Sequence, residues 1–225
     1  MTSIRAGRTL AAAAVAIAVA VPTSAAAGPS DRVVPQAVHV TADLDGDGVP
    51  EPVTLQQLSP GTQLLRVALP EQILDVIVGG DDAVPLPLIA PRPSDLDGDG
   101  VAELVLTVAV GANTTTYEVW RYDDARGLHA VTDAGGAPWR LYEGGGIAAI
   151  SGYACASGAP RRPYAVGARW DESRPEEEPI RYDGEVVTYD LTDGVARPVA
   201  TEPVRGATRE DPRVLADPAT CAPLD

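Results

Sequence analysis

Apolar and polar residues alternate in short segments along most of the chain from Ala37 onward, a pattern typical of half-buried β-strands. In residues 63–69, for example, Leu65 and Val67 fall on one face of the predicted strand and Arg66 falls on the other. No window keeps the period of an amphipathic helix, so the pattern predicts an all-β protein. The predicted strands are residues 37–42, 53–55, 63–69, 73–78, 104–110, 115–122, 127–132, 139–142, 147–155, 164–170, 185–191 and 195–204.

An acidic motif and glycine-containing turns divide these strands into successive groups. The sequence Asp-Leu-Asp-Gly-Asp-Gly-Val-Pro-Glu at 43–51 returns at 95–103 with Ala in place of Pro, an offset of 52 residues (95 minus 43). Repeats of this length are typical of proteins that build one small sheet per repeat. We therefore predict about three four-stranded antiparallel sheet units, at residues 37–94, 95–145 and 146–205. The third unit lacks the acidic motif.

The two motifs, here called the first acidic loop (43–51) and the second acidic loop (95–103), have the composition of a calcium site. Calcium takes about six to eight oxygen ligands from carboxylates and main-chain carbonyls. In each loop aspartates stand at positions 1, 3 and 5, glycine at position 6 permits a sharp bend, and a fourth acid stands at position 9. We predict one Ca²⁺ in each loop. The predicted ligands are the side chains of Asp43, Asp45, Asp47 and Glu51 with the carbonyl of Val49, and the side chains of Asp95, Asp97, Asp99 and Glu103 with the carbonyl of Val101.

The acidic loops have two other interpretations. An EF-hand begins in the same way, but it needs a bidentate glutamate at position 12, where this chain has Thr54 and Leu106. Predicted strands follow both loops, whereas an EF-hand loop leads into a helix. The remaining alternative is a pair of solvated acidic turns without metal.

The motif Asp-Leu-Asp-Gly-Asp-Gly-Val-x-Glu leading into a strand resembles the calcium loops of FG-GAP and VCBS-type repeats, known from the integrin α-subunit β-propeller and from secreted bacterial proteins. The resemblance covers about residues 40–145. It implies a β-propeller-like or partial-propeller arrangement in which the acids of both loops ligate calcium. The chain departs from the family in lacking the Phe-Gly pair, in carrying glutamate where the family has aspartate at position 9, and in having only two loops where a closed propeller commonly has more repeats. Its length excludes a full seven-bladed ring.

The two ends of the chain have patterns of their own. Arg5 and Arg8 precede an apolar stretch at 10–21 and a run of small residues that ends at Ala27, the order typical of a secretory signal peptide. We predict cleavage after Ala27, a flexible lead-in at 28–36, and a secreted protein without a membrane span. A retained anchor is the weaker alternative, because a spanning helix needs about 20 apolar residues. The tail at 206–225 is polar and proline-rich and is predicted to be unstructured apart from Cys221.

Charge limits the possible partners. The chain has 17 basic and 32 acidic residues, a net charge of −15, and all 17 basic residues are arginine. Such a surface repels phosphate backbones and anionic lipid, so nucleic acid is not an expected partner. The absence of lysine and phenylalanine, together with abundant alanine, indicates a bacterial source rich in G and C, with an actinobacterial origin as our expectation.

The two cysteines, Cys155 and Cys221, are predicted to form a disulfide, because exported proteins keep such bonds. The alternative is a pair of free buried thiols. A bond between them closes a long loop and fastens the tail to the third unit. In the chain-entropy model it stabilises the fold by about 4 kcal/mol.

The sequence gives little support for catalysis. His39 and His129 lie within alternating strand segments, where a structural role is the expected one. Three tryptophans, Trp120, Trp139 and Trp170, are expected to serve the core, with sugar stacking as the alternative. We therefore predict a secreted calcium-binding protein, not an enzyme, with a binding or scaffolding role toward an unknown protein or glycan ligand. A glycan-binding module and a hydrolase of unrecognised type are the alternatives.

Overall fold

The computed structural model describes residues 36–79, 84–173 and 179–223. The predicted signal peptide and all of the lead-in except Gln36 lie outside the described residues. No helix within the described ranges is long and apolar enough to cross a membrane. The strands are β1 (Ala37–Ala42), β2 (Glu51–Ser59), β3 (Thr62–Ala68), β4 (Ile73–Gly79), β5 (Arg92–Ser94), β6 (Glu103–Val110), β7 (Thr114–Asp123), β8 (Gly127–Ala130), β9 (Thr132–Asp133), β10 (Arg140–Gly144), β11 (Ala149–Ala156), β12 (Arg162–Trp170), β13 (Tyr182–Thr192) and β14 (Val195–Ala207).

The first four strands form an antiparallel sheet in chain order, β1-β2-β3-β4. The alternation in its strands turns Leu55, Leu65 and Val67 inward, where all three side chains are fully buried. They pack in one core with Leu104 and Trp120 from the strands that follow. The predicted all-β class and the predicted four-stranded first sheet are thus confirmed.

The remaining strands belong to one larger sheet. Its order is β5-β6-β7-β10-β11-β12-β13-β14-β9, and β8 pairs with β7 beside this path. Strand β10 continues the hydrogen bonding across the predicted boundary between the second and third units, because it pairs with β7 and, at Gly144, with Ser151 of β11. These strands therefore form one continuous sheet where two separate four-stranded sheets were expected, and the described residues form no closed propeller.

The core of the larger sheet contains the predicted disulfide. Cys155 of β11 and Cys221 of the tail are bonded, with their Cα atoms 5.0 Å apart. Both cysteines are buried, in the same hydrophobic cluster as Leu96, Tyr153 and Trp139. The cluster also joins the second acidic loop to the tail, because Leu96 belongs to that loop.

The tail is more ordered than its composition predicts. It forms two single turns of 3-10 helix, Pro212–Val214 and Pro218–Cys221. Asp211 caps the first turn by accepting a hydrogen bond from the backbone N–H of Arg213, and the side chain of Val214 is buried. The expectation of an unstructured tail was wrong, because side-chain capping and the buried valine give the segment an order that its polar composition does not reveal.

Candidate metal centres

The two acidic loops join equivalent pairs of strands. The first acidic loop connects β1 to β2, and the second acidic loop connects β5 to β6. In the first loop, carboxylate oxygens of Asp43, Asp45 and Glu51 all lie within 4.8 Å of one another. In the second loop the corresponding group consists of Asp95, Asp97 and Asp99. Each loop thus brings together three of its four predicted side-chain ligands, and Asp47 and Glu103 lie outside these two groups.

Side-chain hydrogen bonds to the backbone give the two loops the same shape. The carboxylate of Asp43 accepts from the N–H of Gly46 at 2.9 Å, and that of Asp95 accepts from the N–H of Gly98 at 2.7 Å. All four loop glycines at positions 4 and 6 have positive φ, a conformation that glycine adopts without strain. The glycines that the sequence pattern places at the bends are therefore required by the backbone.

Position 7 is held against the loop in both copies. The N–H of Val49 donates to the carboxylate of Asp47 at 2.7 Å, and the N–H of Val101 donates to that of Asp99 at 2.8 Å. Asp47 therefore contributes to the loop through its backbone contact even though it lies outside the converging group. The carbonyl oxygens of Val49 and Val101 stay predicted ligands.

The glutamates at position 9 close each loop from the inside. Glu51 accepts a hydrogen bond from the N–H of Leu44 at 2.8 Å, and Glu103 accepts one from the N–H of Leu96 at 2.9 Å. Both leucine side chains are fully buried, so they anchor the loops to the core. The motif pattern does not reveal this role of the leucines, although both copies repeat them at position 2.

The carboxylates carry unfavourable electrostatic energy. Burial raises the pKa of Glu51, and the neighbouring loop aspartates raise it further. Burial and then the charge of Asp99 raise the pKa of Asp97 to about 6. The pKa of Glu103 is raised mainly by burial and then by the charge of Asp97. A cation bound among these oxygens would offset both the burial and the mutual repulsion, since it stabilises the charged carboxylates.

Asp95 gives the most direct indication of a ligand. In the first loop both oxygens of Asp43 accept hydrogen bonds, with Gly48 as the second donor at 2.9 Å. In the second loop Asp95 is 1% exposed, and its Oδ2 atom has no hydrogen-bond partner among the described residues. Nη1 of Arg161 lies 3.6 Å from this atom, too far for a hydrogen bond. A buried carboxylate oxygen without a hydrogen bond is costly. A hard cation held by oxygen ligands fits this atom and the all-oxygen donor set around it.

The loops are connected to each other and to the tail. The backbone N–H of Ala102 in the second loop donates to the carbonyl of Asp43 in the first loop at 2.7 Å. The N–H of Asp95 donates to the carbonyl of Cys221 at 2.8 Å. Arg161, in the turn between β11 and β12, donates to the carbonyls of Asp95 and Ala222, both at 2.9 Å. The second loop is thus positioned by partners far away in the sequence, which sequence reasoning did not reveal.

Substituting Gly98 by alanine is expected to destabilise the protein more than substituting Gly100. Both residues have φ near +80 to +90°, so alanine costs about 1–2 kcal/mol at either position. A Cβ on Gly98 would lie 2.5 Å from Cβ of Arg161, whereas a Cβ on Gly100 meets nothing within 4 Å. The steric clash should add about 1–3 kcal/mol for Gly98→Ala. Urea unfolding of the two variants measures this difference, and equal losses would contradict the contact with Arg161.

The two histidines and two of the three tryptophans have surroundings that indicate structural roles. Trp120 and Trp139 are buried in the hydrophobic cores, in agreement with their expected role. Nδ1 of His39 lies 3.0 Å from the hydroxyl of Thr54, and Nδ1 of His129 lies 2.9 Å from the carbonyl of Gly127. Neither contact joins a histidine to the acidic loops.

Comparison of the chain with protein-family models, with curated proteins and with solved structures gave no match. The resemblance to FG-GAP and VCBS-type repeats therefore depends on the loop motif alone.

Proposed function

We propose that this chain is a secreted calcium-binding protein in which two calcium ions stabilise the fold, with a binding or scaffolding role outside the cell. The observation that carries the proposal is the buried Oδ2 atom of Asp95, which has no hydrogen-bond partner in the described part of the chain and lies in a group of three converging carboxylates. The first acidic loop, with the same sequence pattern and backbone hydrogen bonds, supports a second site of the same kind.

The donor set favours calcium over other metals. The two loops contain no histidine or cysteine, so nitrogen and sulfur ligands suited to zinc or copper are absent from them. Magnesium requires a small, nearly ideal octahedral shell, whereas calcium accepts irregular groups of carboxylates and carbonyls. The long glutamates at position 9 and the carbonyls of Val49 and Val101 would complete such an irregular shell.

A structural role for calcium follows from what the loops connect. Each loop joins two strands of a sheet, and each is attached to the core by a buried leucine and a buried glutamate. A cation bound there fixes the direction in which the next strand begins. The proposed secretion is supported by the disulfide, which persists in oxidising compartments. A propeller-like arrangement of the repeats also belongs to the proposal.

Isothermal titration calorimetry is expected to show two calcium ions per chain, measured on protein freed of metal with EGTA and dialysed. Asp45→Asn removes a carboxylate from the first site and Asp97→Asn one from the second. Each variant should retain one ion, and the double variant should retain none. Magnesium at the same concentration should give little or no binding heat.

Asp75→Asn serves as the matched control, because Asp75 is an exposed acid of β4 that pairs with Arg66 and lies outside both acidic loops. Its stoichiometry should equal that of the unmodified chain. Absence of calcium binding to the unmodified chain, or unchanged binding in the double variant, would contradict the proposed function.

A further inference from the structure

The two acidic loops share one sequence pattern but differ in the positive charges that surround them. Nη1 of Arg121 lies 3.8 Å from Oδ2 of Asp97, and Nη2 of the same residue lies 3.8 Å from Oδ2 of Asp99. Nη1 of Arg161 lies 3.6 Å from Oδ2 of Asp95. Within the described ranges, no arginine or histidine lies at ion-pair distance from the acids of the first loop.

The two arginines are held in different ways. Arg161 donates hydrogen bonds to the carbonyls of Asp95 and Ala222, so the backbone fixes its guanidinium. Arg121 extends from β7, and its side chain is only 16% exposed. Its contacts to the two aspartates are too long for hydrogen bonds, and its Nε atom is buried without a partner among the described residues. The charges of Asp97, Asp99 and Glu103 therefore compensate for its burial.

We propose that Arg121 is an internal counter-ion of the second acidic loop and lowers the calcium affinity of that loop. The proposal rests on the proposed function, since it concerns the same pair of calcium sites. In the absence of metal, Arg121 offsets part of the repulsion among the carboxylates. When calcium binds, the guanidinium and the ion are like charges beside the same aspartates. Among the described residues the first loop has no such competitor, so it fills at a lower calcium concentration.

The surrounding positive charge is a clear difference between the two loops. Calcium affinity in loop sites follows the number of charged ligands and the rigidity of the loop. The hydrogen bonds within the loops are alike in both copies, apart from the additional bond from the N–H of Gly48 to Asp43 in the first loop. Each loop has four acids, but two arginines lower the net charge of the second site from −4 to −2. Like charges a few ångströms apart in a partly buried site repel strongly enough to change affinity by about tenfold or more.

The test uses the full chain with the first loop silenced by Asp45→Asn, so that calorimetry reports the second loop alone. Adding Arg121→Gln, which removes the charge and keeps a polar side chain, should raise the calcium affinity about tenfold or more. Arg121→Lys keeps the charge and should leave the affinity close to that of the parent. Arg66→Gln removes an exposed arginine that pairs with Asp75 and should also leave it unchanged.

Thermal unfolding supplies a second measurement. It distinguishes a counter-ion from an arginine that only stabilises the fold, because only the counter-ion's effect should depend on calcium. In excess EGTA, Arg121→Gln should melt at a lower temperature than the unmodified chain, because the carboxylates lose their counter-ion. In saturating calcium this loss should disappear. Equal losses in both conditions, or an affinity unchanged by Arg121→Gln, would overturn the proposal while leaving two calcium sites in place. If calcium binds to neither the parent nor the variants, the proposed function itself fails.

Discussion

Removing calcium with excess EGTA is expected to lower the melting temperature by about 10 °C or more, the largest effect that we predict. At calcium concentrations about a hundredfold above the dissociation constant, each site stabilises the folded state by about 2.7 kcal/mol. Two sites then contribute about 5 kcal/mol, and for a chain of this size each kcal/mol shifts the melting temperature by about 2–4 °C. Without the ions, the clustered carboxylates of both loops are left to repel one another.

Differential scanning calorimetry in calcium, in EGTA and in EGTA followed by excess calcium measures this effect and its reversibility. The Asp45→Asn/Asp97→Asn double variant is the control, since it should melt at the same temperature in calcium and in EGTA. Magnesium should not restore the loss. An unmodified chain that melts at one temperature in all conditions would show that the loops are solvated acidic turns, the alternative that the sequence left open.

The second large effect is expected from removal of the disulfide. The bond between Cys155 and Cys221 joins residues 66 positions apart. In the chain-entropy model, its loss lowers the free energy of unfolding by about 4 kcal/mol. Urea unfolding of the Cys155→Ala/Cys221→Ala variant, compared with the oxidised chain in the same calcium buffer, measures the loss. Equal unfolding midpoints for the two proteins would contradict a stabilising bond.

The disulfide variant should also affect calcium binding differently at the two acidic loops. The carbonyl of Cys221 accepts a hydrogen bond from the N–H of Asp95, so release of the tail removes a support of the second loop. The first loop has no such contact with Cys221 among the described residues. Calorimetry is therefore expected to show weaker calcium binding at the second site and little change at the first.

Local patterns were sufficient to predict most of the strands, but not β5 (Arg92–Ser94) or the division of residues 127–132 into β8 and β9. Alternation within residues 63–69 matches β3 (Thr62–Ala68), whose side chains Leu65 and Val67 are buried as predicted. The apolar run at 104–110 matches β6 (Glu103–Val110), in which Leu104 is fully buried. In both cases neighbouring residues alone determine the signal, because a strand places successive side chains on opposite faces.

Features that depend on distant partners could not be predicted. Arg121 lies about 20 residues beyond the acids that it approaches, and Arg161 lies about 60 residues beyond them. Nothing in their local sequence distinguishes them from the other arginines. The continuity of the larger sheet through β10 is hidden for the same reason, since it depends on a single pairing between Gly144 and Ser151. Pairings of this kind are set by tertiary packing, which strand patterns do not encode.

The hydrogen bond from Ala102 to Asp43 has a consequence for how the two repeats unfold. In repeat proteins, stability depends on the interface between neighbouring repeats as well as on each repeat itself. Here the second acidic loop completes the first, and Leu104 and Trp120 of the following strands complete the core of the first sheet. A cut between the repeats would leave an unpaired carbonyl and an open apolar face on the first sheet. The two repeats therefore share one core, and we expect them to unfold together.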